Sequence, residues 1–235
     1  MNEMAAAAAR ALELLIALDP DLVEIVVRSL YVSLSAVALA ALIGLPLGAV
    51  LALARFPGRR AVLVTVNALM GLPPVVAGLV LYLLLSRSGP FGVFGLLFTP
   101  TAMIIAQAVL VTPIIAALTR QTVQDLWGEY REQLGSLGAT PLRAVPTLLW
   151  DGRVALFTAL LAGFGRASAE VGAVMIVGGN IDHVTRVMTT TIALETARGD
   201  LPLALALGIV LLLMALAVNV AAFLAQERAA RSQNA

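Results

Sequence analysis

Long runs of mainly apolar residues place the strongest constraint on how this chain can fold. Five of them reach the length of about 20 residues that an α-helix needs to cross a bilayer. Such runs form helices, because backbone groups in hydrocarbon have to be paired inside the segment. We therefore predict an all-α integral membrane protein with about five transmembrane helices, at residues 29–54, 61–86, 99–119, 154–177 and 201–225.

Composition agrees with a lipid environment and excludes several functions. Of the 235 residues, 60% are hydrophobic and 12% are charged, whereas a soluble domain carries about 25% charged residues. Cysteine is absent and all 15 basic residues are arginine, so thiolate metal sites and the phosphate-binding lysine of a Walker A loop are excluded. A net charge of +1 does not indicate a nucleic-acid-binding protein. We expect no cofactor, no metal site and no enzymatic activity in this chain.

The arginines indicate the orientation, because cytoplasmic loops of membrane proteins are enriched in basic residues. With five spans, nine arginines fall on one side of the membrane and five on the other. We therefore predict an extracytoplasmic N-terminus and a cytoplasmic C-terminus, in the cytoplasmic membrane of a prokaryote. The side predicted to be cytoplasmic holds Arg55, Arg59, Arg60, Arg120, Arg131, Arg143, Arg153, Arg228 and Arg231.

The chain is predicted to be one domain with short flanking segments. Residues 1–27 form an N-terminal interfacial segment, 28–225 the transmembrane domain and 226–235 a cytoplasmic tail. The first segment is not interpreted as a secretion signal, because Glu3 precedes Arg10 and a basic start is missing.

The longest predicted cytoplasmic connection, residues 120–153, has the pattern of two short helices. Gly138 is predicted to end the first helix, and Thr140-Pro141 supplies the N-cap and the first residue of the second. The pattern fits either a rigid knob or a solvated hairpin that only joins two spans. Apolar residues of the first helix recur at three- and four-residue steps: Val123, Trp127, Tyr130, Leu134 and Leu137.

Residues 132–141, with the sequence EQLGSLGATP, resemble the EAA loop of type I ABC importer permeases. Glu132 and Gly138 occupy the two most characteristic positions of its E-A-A-x-x-x-G core, and Gln133 and Leu134 stand where the family has alanines. The resemblance implies the type I ABC importer transmembrane fold, with a cytoplasmic coupling helix. It assigns the ATPase-coupling loop to Glu132, Gly135, Leu137, Gly138, Ala139, Thr140 and Pro141.

Three further segments resemble the permeases of tungstate and molybdate importers. They are GLPPVVAG at 71–78, the run at 163–180 and the stretch at 185–195. Within the second, AEVGAVM at 169–175 is similar to tungstate permeases rather than to molybdate permeases. The resemblance implies import of an oxyanion, with tungstate favoured over molybdate and sulfate. It also implies a cytoplasmic ABC ATPase dimer, an extracytoplasmic oxyanion-binding protein and a second copy of the chain as partners.

Two charged residues interrupt the predicted fourth span. Arg166 and Glu170 are four residues apart, and therefore lie on one face of a helix. A charge at bilayer depth costs roughly 2.5–3.5 kcal/mol, so it commonly faces a partner or a water-filled path. The pair either holds the helix bundle together by ion pairing or lines the translocation path. In the path, a fixed cation would lower the energy barrier to passage of a divalent oxyanion.

Prolines and glycines interrupt the first two spans. Pro73 and Pro74 are predicted to kink the second span, either as a fixed bend or as a flexible point along the translocation path. The segment GLPLG at 44–48 is interpreted in the same way, with small residues permitting close approach of helices.

A glycine pair and a histidine near the end of the fourth span are interpreted as structural rather than as ligand-binding residues. Gly178-Gly179-Asn180 is predicted to stop the helix. His183, the single histidine, is predicted to stand alone on the surface of an outer loop, since one histidine makes a poor metal site.

Two other classes of function fit the sequence less well. An intramembrane enzyme needs an activated nucleophile, and Ser168 beside Glu170 has no histidine or lysine to activate it. A channel or an ion-coupled carrier would commonly show internal repeats and several ionisable residues within the membrane. Neither feature is evident, and a carrier would transport in vesicles without an ATPase.

Overall fold

The computed structural model describes residues 2–233, and the side chains of residues 5–227. Within this part the chain forms α-helices, a short 3₁₀ helix and connecting turns, without a strand. The all-α prediction is confirmed. The α-helices are α1 Asn2–Ala17, α2 Pro20–Leu53, α3 Arg59–Met70, α4 Pro74–Leu85, α5 Pro100–Ser136, α6 Pro141–Asp151, α7 Arg153–Ser168, α8 Gly172–Gly178, α9 Met188–Arg198 and α10 Leu201–Gln233, and the 3₁₀ helix is Gly92–Phe94.

Three helices in the described part of the chain, α2, α5 and α10, are long and apolar enough to cross a membrane. The bent pairs α3–α4 and α6–α7 raise the number to five if each pair counts as one span. The upper count equals the predicted number, but its fourth member joins α7 to α6, which lies in the predicted connection 120–153, and not to α8. At the ends, α2 begins at Pro20, inside the predicted segment 1–27. Of the predicted tail 226–235, the backbone to Gln233 is helical, and residues 234–235 lie outside the described residues.

The predicted second span is broken rather than kinked. α3 ends at Met70 and α4 begins at Pro74, so residues 71–73 separate two helices where one was predicted. Pro73 is extended, with φ −61° and ψ 124°, and Pro74 is the first helical residue. Two consecutive prolines suit this arrangement, because a proline at the first helical position loses no intrahelical hydrogen bond.

The predicted fourth span is also divided. α7 ends at Ser168 and α8 runs over Gly172–Gly178, so residues 169–171 separate two helices where one was predicted. Arg166 and Glu170 therefore flank the end of a helix instead of lying within a continuous one. α8 ends as predicted, because Gly179 has φ 70° and caps it, and Asn180 follows with φ 49°.

The predicted third span is longer than expected. α5 continues without interruption to Ser136 and includes Pro113, so the first helix of the connection 120–153 is not separate. Prolines inside helices are tolerated where neighbouring helices satisfy the freed carbonyl groups.

Close contact between α2 and α5 depends on two glycines. A Cβ on Gly48 would lie 2.4 Å from the backbone oxygen of Ala116, and one on Gly44 would lie 2.9 Å from Cγ2 of Ile115. Pro46 lies inside α2 without ending it. The expectation that small residues allow close helix approach is confirmed.

The chain divides into two compact units, and the boundaries fall inside several helices. One, unit 1, takes in residues up to Ala36, Pro73–Gln107 and Arg166–Ala217. Its apolar core joins α1, α2, α9 and α10 through Ala11, Leu22, Ile25, Met188, Ala206 and Leu207.

The other, unit 2, takes in Val37–Leu72, Ala108–Gly165 and the residues from Val218 onward. A buried cluster in this unit joins the end of α2 to α5 and α6. Its members are Ala49, Leu53, Val123, Ala144 and Leu148.

Candidate functional site

The predicted coupling loop begins with a complete glycine cap at the end of α5. The N–H of Ala139 donates to the carbonyl oxygen of Leu134 at 3.0 Å, and the N–H of Gly138 donates to that of Gly135 at 3.0 Å. These two bonds form a Schellman motif, in which the residue after the helix adopts a left-handed conformation. Gly138 has φ 76°, which glycine adopts without the steric cost that other residues pay.

The second half of the loop is a helix packed against the first. Thr140 is the extended N-cap of α6 and Pro141 its first residue, as predicted. Ala144 and Leu148 of α6 are buried against Val123 of α5. This packing fixes the direction of the loop, and it supports the interpretation as a rigid knob over that of a loosely solvated hairpin.

The surface of the knob is apolar at its tip. Leu137 is 78% exposed, Leu142 is 55% exposed and Trp150 is 72% exposed. Glu132 is also exposed, with a long contact of 4.0 Å to Arg131. Beside Trp150 lies a groove of about 280 Å³, lined among others by Tyr130, Leu134, Leu137, Leu148 and Trp150. An exposed apolar patch of this kind is typical of a surface that binds a partner protein or a membrane.

Arg166 and Glu170 form an ion pair in unit 1. Arg166 Nη1 donates to Glu170 Oε2 at 2.6 Å, with 35% of the arginine side chain exposed and 3% of the glutamate side chain. The other carboxylate oxygen accepts a hydrogen bond from the backbone N–H of Ala173 at 3.1 Å. Glu170 thus links the end of α7 to the start of α8, and Arg166 is the accessible member of the pair.

Two polar residues that the sequence did not assign to a site contact the break between α7 and α8. Gln107 of α5 donates from Nε2 to the carbonyl oxygen of Ala167 at 3.0 Å. Thr189 of α9 donates from Oγ1 to the carbonyl oxygen of Glu170 at 2.8 Å. A lone amide in an apolar span, and the threonine run at 189–191, are the sequence signals that point to them.

The breaks of the second and fourth predicted spans lie side by side. A Cβ on Gly172, at the start of α8, would lie 2.9 Å from Cγ2 of Val75, at the start of α4. One on Gly78 would lie 2.8 Å from Cα of Ala173. The structure therefore brings the half-helix that begins at Pro74 next to the half-helix that follows Glu170. The residues of the coupling loop belong to unit 2, and the role of both groups in transport stays a prediction.

His183 is exposed as predicted, but the expectation that it stands alone is wrong. Its Nδ1 lies 2.9 Å from Oε2 of Glu24, and its carbonyl oxygen accepts a hydrogen bond from Arg28 at 2.7 Å. Glu24 also pairs with Arg28, and Asp21 lies close enough for one ligand atom each of Asp21, Glu24 and His183 to come within 4.8 Å of one another. The carboxylate of Glu24 is therefore shared between Arg28 and His183. The hydrogen bond to Glu24, with the negative charge of Asp182, holds the pKa of His183 above its ordinary value of 6.5.

Comparison with known proteins places the chain among membrane transport subunits. The family described as "Binding-protein-dependent transport system inner membrane component" matches residues 44–234. The chain is 42% identical over 217 residues to the tungstate uptake system permease protein TupB of Peptoclostridium acidaminophilum, across 92% of this chain and 95% of the relative. It is 42% identical over 203 residues to a probable anion ABC transporter permease protein of Haloferax volcanii, across 84% of this chain and 88% of the relative. It is 31% identical over 176 residues to the sulfate transport system permease protein CysT of Salmonella typhimurium, across 72% and 64%.

Proposed function

The chain belongs to the family of binding-protein-dependent transport system inner membrane components, and we propose that it imports tungstate as the permease subunit of an ABC importer. It is a multi-pass membrane protein of the type I importer fold. In this proposal the chain catalyses no reaction, and ATP is hydrolysed by a separate subunit.

Similarity and sequence support tungstate as the substrate. A relative that aligns over 92% of this chain and 95% of its own length is a tungstate uptake permease, and the segment 169–175 agrees with this assignment. Sulfate is the second candidate, because sulfate permeases are also relatives of this chain, at lower identity.

Arg166 carries the proposal that an oxyanion is transported. Its guanidinium is held by a buried carboxylate on one side while 35% of the side chain stays accessible. A cation fixed in this way presents donors to an anion without the entropic cost of ordering a flexible side chain, and it stabilises negative charge in an apolar surrounding. We infer that the accessible side of Arg166 faces the translocation path.

The capped knob supports coupling to a cytoplasmic ATPase dimer. In the proposed mode, the exposed apolar tip at Leu137 and Leu142 inserts into the ATPase, and the buried contacts of Leu148 transmit its movement to α5. ATP-driven closure would move two such knobs together and switch the protein between inward- and outward-facing states. This requires a second copy of the chain, with the path between the copies.

The proposed orientation places the knob in the cytoplasm and the N-terminus outside. The bias of nine arginines against five supports it. The outer side then receives the oxyanion from an extracytoplasmic binding protein.

Uptake by cells tests the substrate. A strain that lacks this permease gene but retains its own ATPase and binding protein is supplied with sodium tungstate enriched in one tungsten isotope, and cellular uptake of that isotope is measured by mass spectrometry. The wild-type chain should restore uptake, and excess molybdate or sulfate should compete more weakly than unlabelled tungstate. Uptake that is restored for sulfate but not for tungstate would reject the tungstate assignment.

Crosslinking tests the partner independently. The chain has no cysteine, so Leu137→Cys introduces a single thiol at a position that is 78% exposed. It is preferable to a thiol at Gly138, where φ 76° disfavours any side chain. We expect a crosslink to the ATPase from position 137. We expect none from Ala155→Cys, which lies on the exposed side of α7. Labelling of position 137 from outside intact cells would contradict the orientation.

A further inference from the structure

The break between α7 and α8 leaves backbone carbonyl groups without helical partners. In a continuous helix the carbonyl oxygen of Ala167 would bind the N–H four residues later, but α7 ends at Ser168. Its local backbone bond is instead the tighter turn from the N–H of Glu170, three residues later, at 3.1 Å. Carbonyl groups freed in an apolar segment need partners from neighbouring elements.

Gln107 supplies such a partner from another helix. Its side chain is 3% exposed, and Nε2 reaches the carbonyl oxygen of Ala167, 60 positions along the chain, at 3.0 Å. Ala167 directly follows Arg166, so this bond fixes the backbone next to the residue that carries the accessible guanidinium. The amide therefore acts on the part of α7 from which Arg166 projects.

The unpaired oxygen of the same amide shows that apolar packing alone does not explain a glutamine at position 107. Among the described residues, Gln107 Oε1 is buried without a hydrogen-bond partner, as is Oγ of Ser168. A buried amide with one end unpaired is destabilising compared with an apolar side chain of the same shape. The donated bond to Ala167 is the interaction that the amide provides and that an apolar side chain could not.

We infer that Gln107 is a positioning residue for transport: by holding the carbonyl group of Ala167 it sets the direction in which Arg166 faces the path. This inference rests on the proposed function, in which Arg166 contacts the oxyanion. Gln107 itself touches no substrate in this arrangement. Replacing Gln107 should lower the maximal rate of oxyanion transport and leave the half-saturating concentration of the oxyanion unchanged.

One experiment reports on the position of the break without requiring transport. Ala169 is exposed within the break, and in this cysteine-free chain Ala169→Cys gives a single thiol that leaves the Arg166 pair intact. Its rate of labelling by N-ethylmaleimide is measured in detergent with Gln107 and with Gln107→Met, which keeps the volume and removes both polar ends. The matched control is Gln121→Met, the same substitution at an exposed site on α5. A severalfold change for Gln107→Met and no change for Gln121→Met are expected.

A second experiment measures uptake of sodium tungstate in the complemented strain at a range of concentrations. For Gln107→Met, the maximal rate should fall by up to about 10²-fold, the size of effect that a misplaced contact group produces. The half-saturating concentration and the amount of protein in the membrane should stay unchanged, and Gln121→Met should behave as wild type. Should Gln107→Met not be recovered in the membrane, Gln107→Asn carries both tests, because it keeps the amide but is one methylene too short.

The two readouts separate failure of the inference from failure of the proposed function. Labelling of Ala169→Cys that is unchanged by Gln107→Met overturns the inference, whatever the uptake shows. Changed labelling with wild-type uptake overturns it too, because the residue would then be structural alone. If the wild-type chain takes up no tungstate, the substrate proposal fails, and labelling still decides whether Gln107 sets the break.

Discussion

The side chain of Glu170 is 3% exposed, whereas the side chain of Arg166 that it binds is 35% exposed. Removing the two members of this ion pair should therefore have unequal effects on stability. Arg166→Gln leaves a buried carboxylate with a single described partner, the N–H of Ala173, at a cost of up to about 3–5 kcal/mol. Glu170→Gln keeps an acceptor for that N–H and leaves an arginine that water can reach, so it should cost less. Thermal unfolding in detergent is the measurement, and equal losses would contradict the assigned burial.

The double variant Arg166→Gln with Glu170→Gln separates stability from transport. With both charges removed, it should regain part of the stability that Arg166→Gln loses, since neighbouring charges couple non-additively. Neither Arg166→Gln nor the double variant should take up tungstate, because the fixed cation is missing in both. Uptake at the wild-type level in a well-assembled double variant would show that the pair only holds the helices together.

The contact of Gly48 with α5 gives a prediction about packing. A Cβ at this position would lie 2.4 Å from the carbonyl oxygen of Ala116, and backbone cannot move aside as a side chain can. Gly48→Ala should therefore destabilise the protein by about 1–3 kcal/mol, the usual cost of overpacking. Gly208→Ala in α10, where a Cβ meets nothing within 4 Å, is the matched control and should be neutral or slightly stabilising. A thermal midpoint that falls equally for both would refute the close approach.

The two glycines of the coupling loop should respond in opposite directions. Neither would meet an atom within 4 Å if it carried a Cβ, so only backbone conformation distinguishes them. Gly138→Ala forces a left-handed alanine and should cost about 1–2 kcal/mol, whereas Gly135→Ala inside α5 should gain about 0.5–1 kcal/mol. Chemical unfolding of the purified chain measures both. A stabilising Gly138→Ala would exclude the capped turn at the end of α5.

The coupling loop could be predicted from the sequence because its signals are local. A glycine after an apolar periodic run, followed by Thr140-Pro141, determines a helix end and a helix start within a few residues. The same locality predicted the stop after Gly178. These features depend on backbone preferences of individual residues, and distant parts of the chain do not override them.

The break in the predicted fourth span could not be predicted in the same way. Hydropathy describes 154–177 as one apolar run, and nothing in it forbids a continuous helix. The break is tolerated because Gln107 and Thr189, from other helices, donate hydrogen bonds to the carbonyl groups of Ala167 and Glu170. Such partners are visible in a sequence as isolated polar residues, but the residue that each of them binds is set by tertiary packing. The same reason explains why His183 was expected to stand alone, although Glu24, 159 positions earlier, binds it.

The contact between His183 and Glu24 predicts how stability depends on pH. The hydrogen bond from His183 to Glu24 raises the pKa of the histidine, so the folded protein binds this proton more tightly than the unfolded chain does. The resulting stabilisation is complete below about pH 6.5, the ordinary histidine pKa, and is lost as the pH rises through the raised value. The thermal midpoint should therefore decline across this interval in the wild-type protein and decline less in His183→Gln, which retains a donor for Glu24 but does not titrate. Because the chain has one histidine and no cysteine, the difference between the two profiles isolates this proton, and parallel profiles would show that the contact does not form in solution.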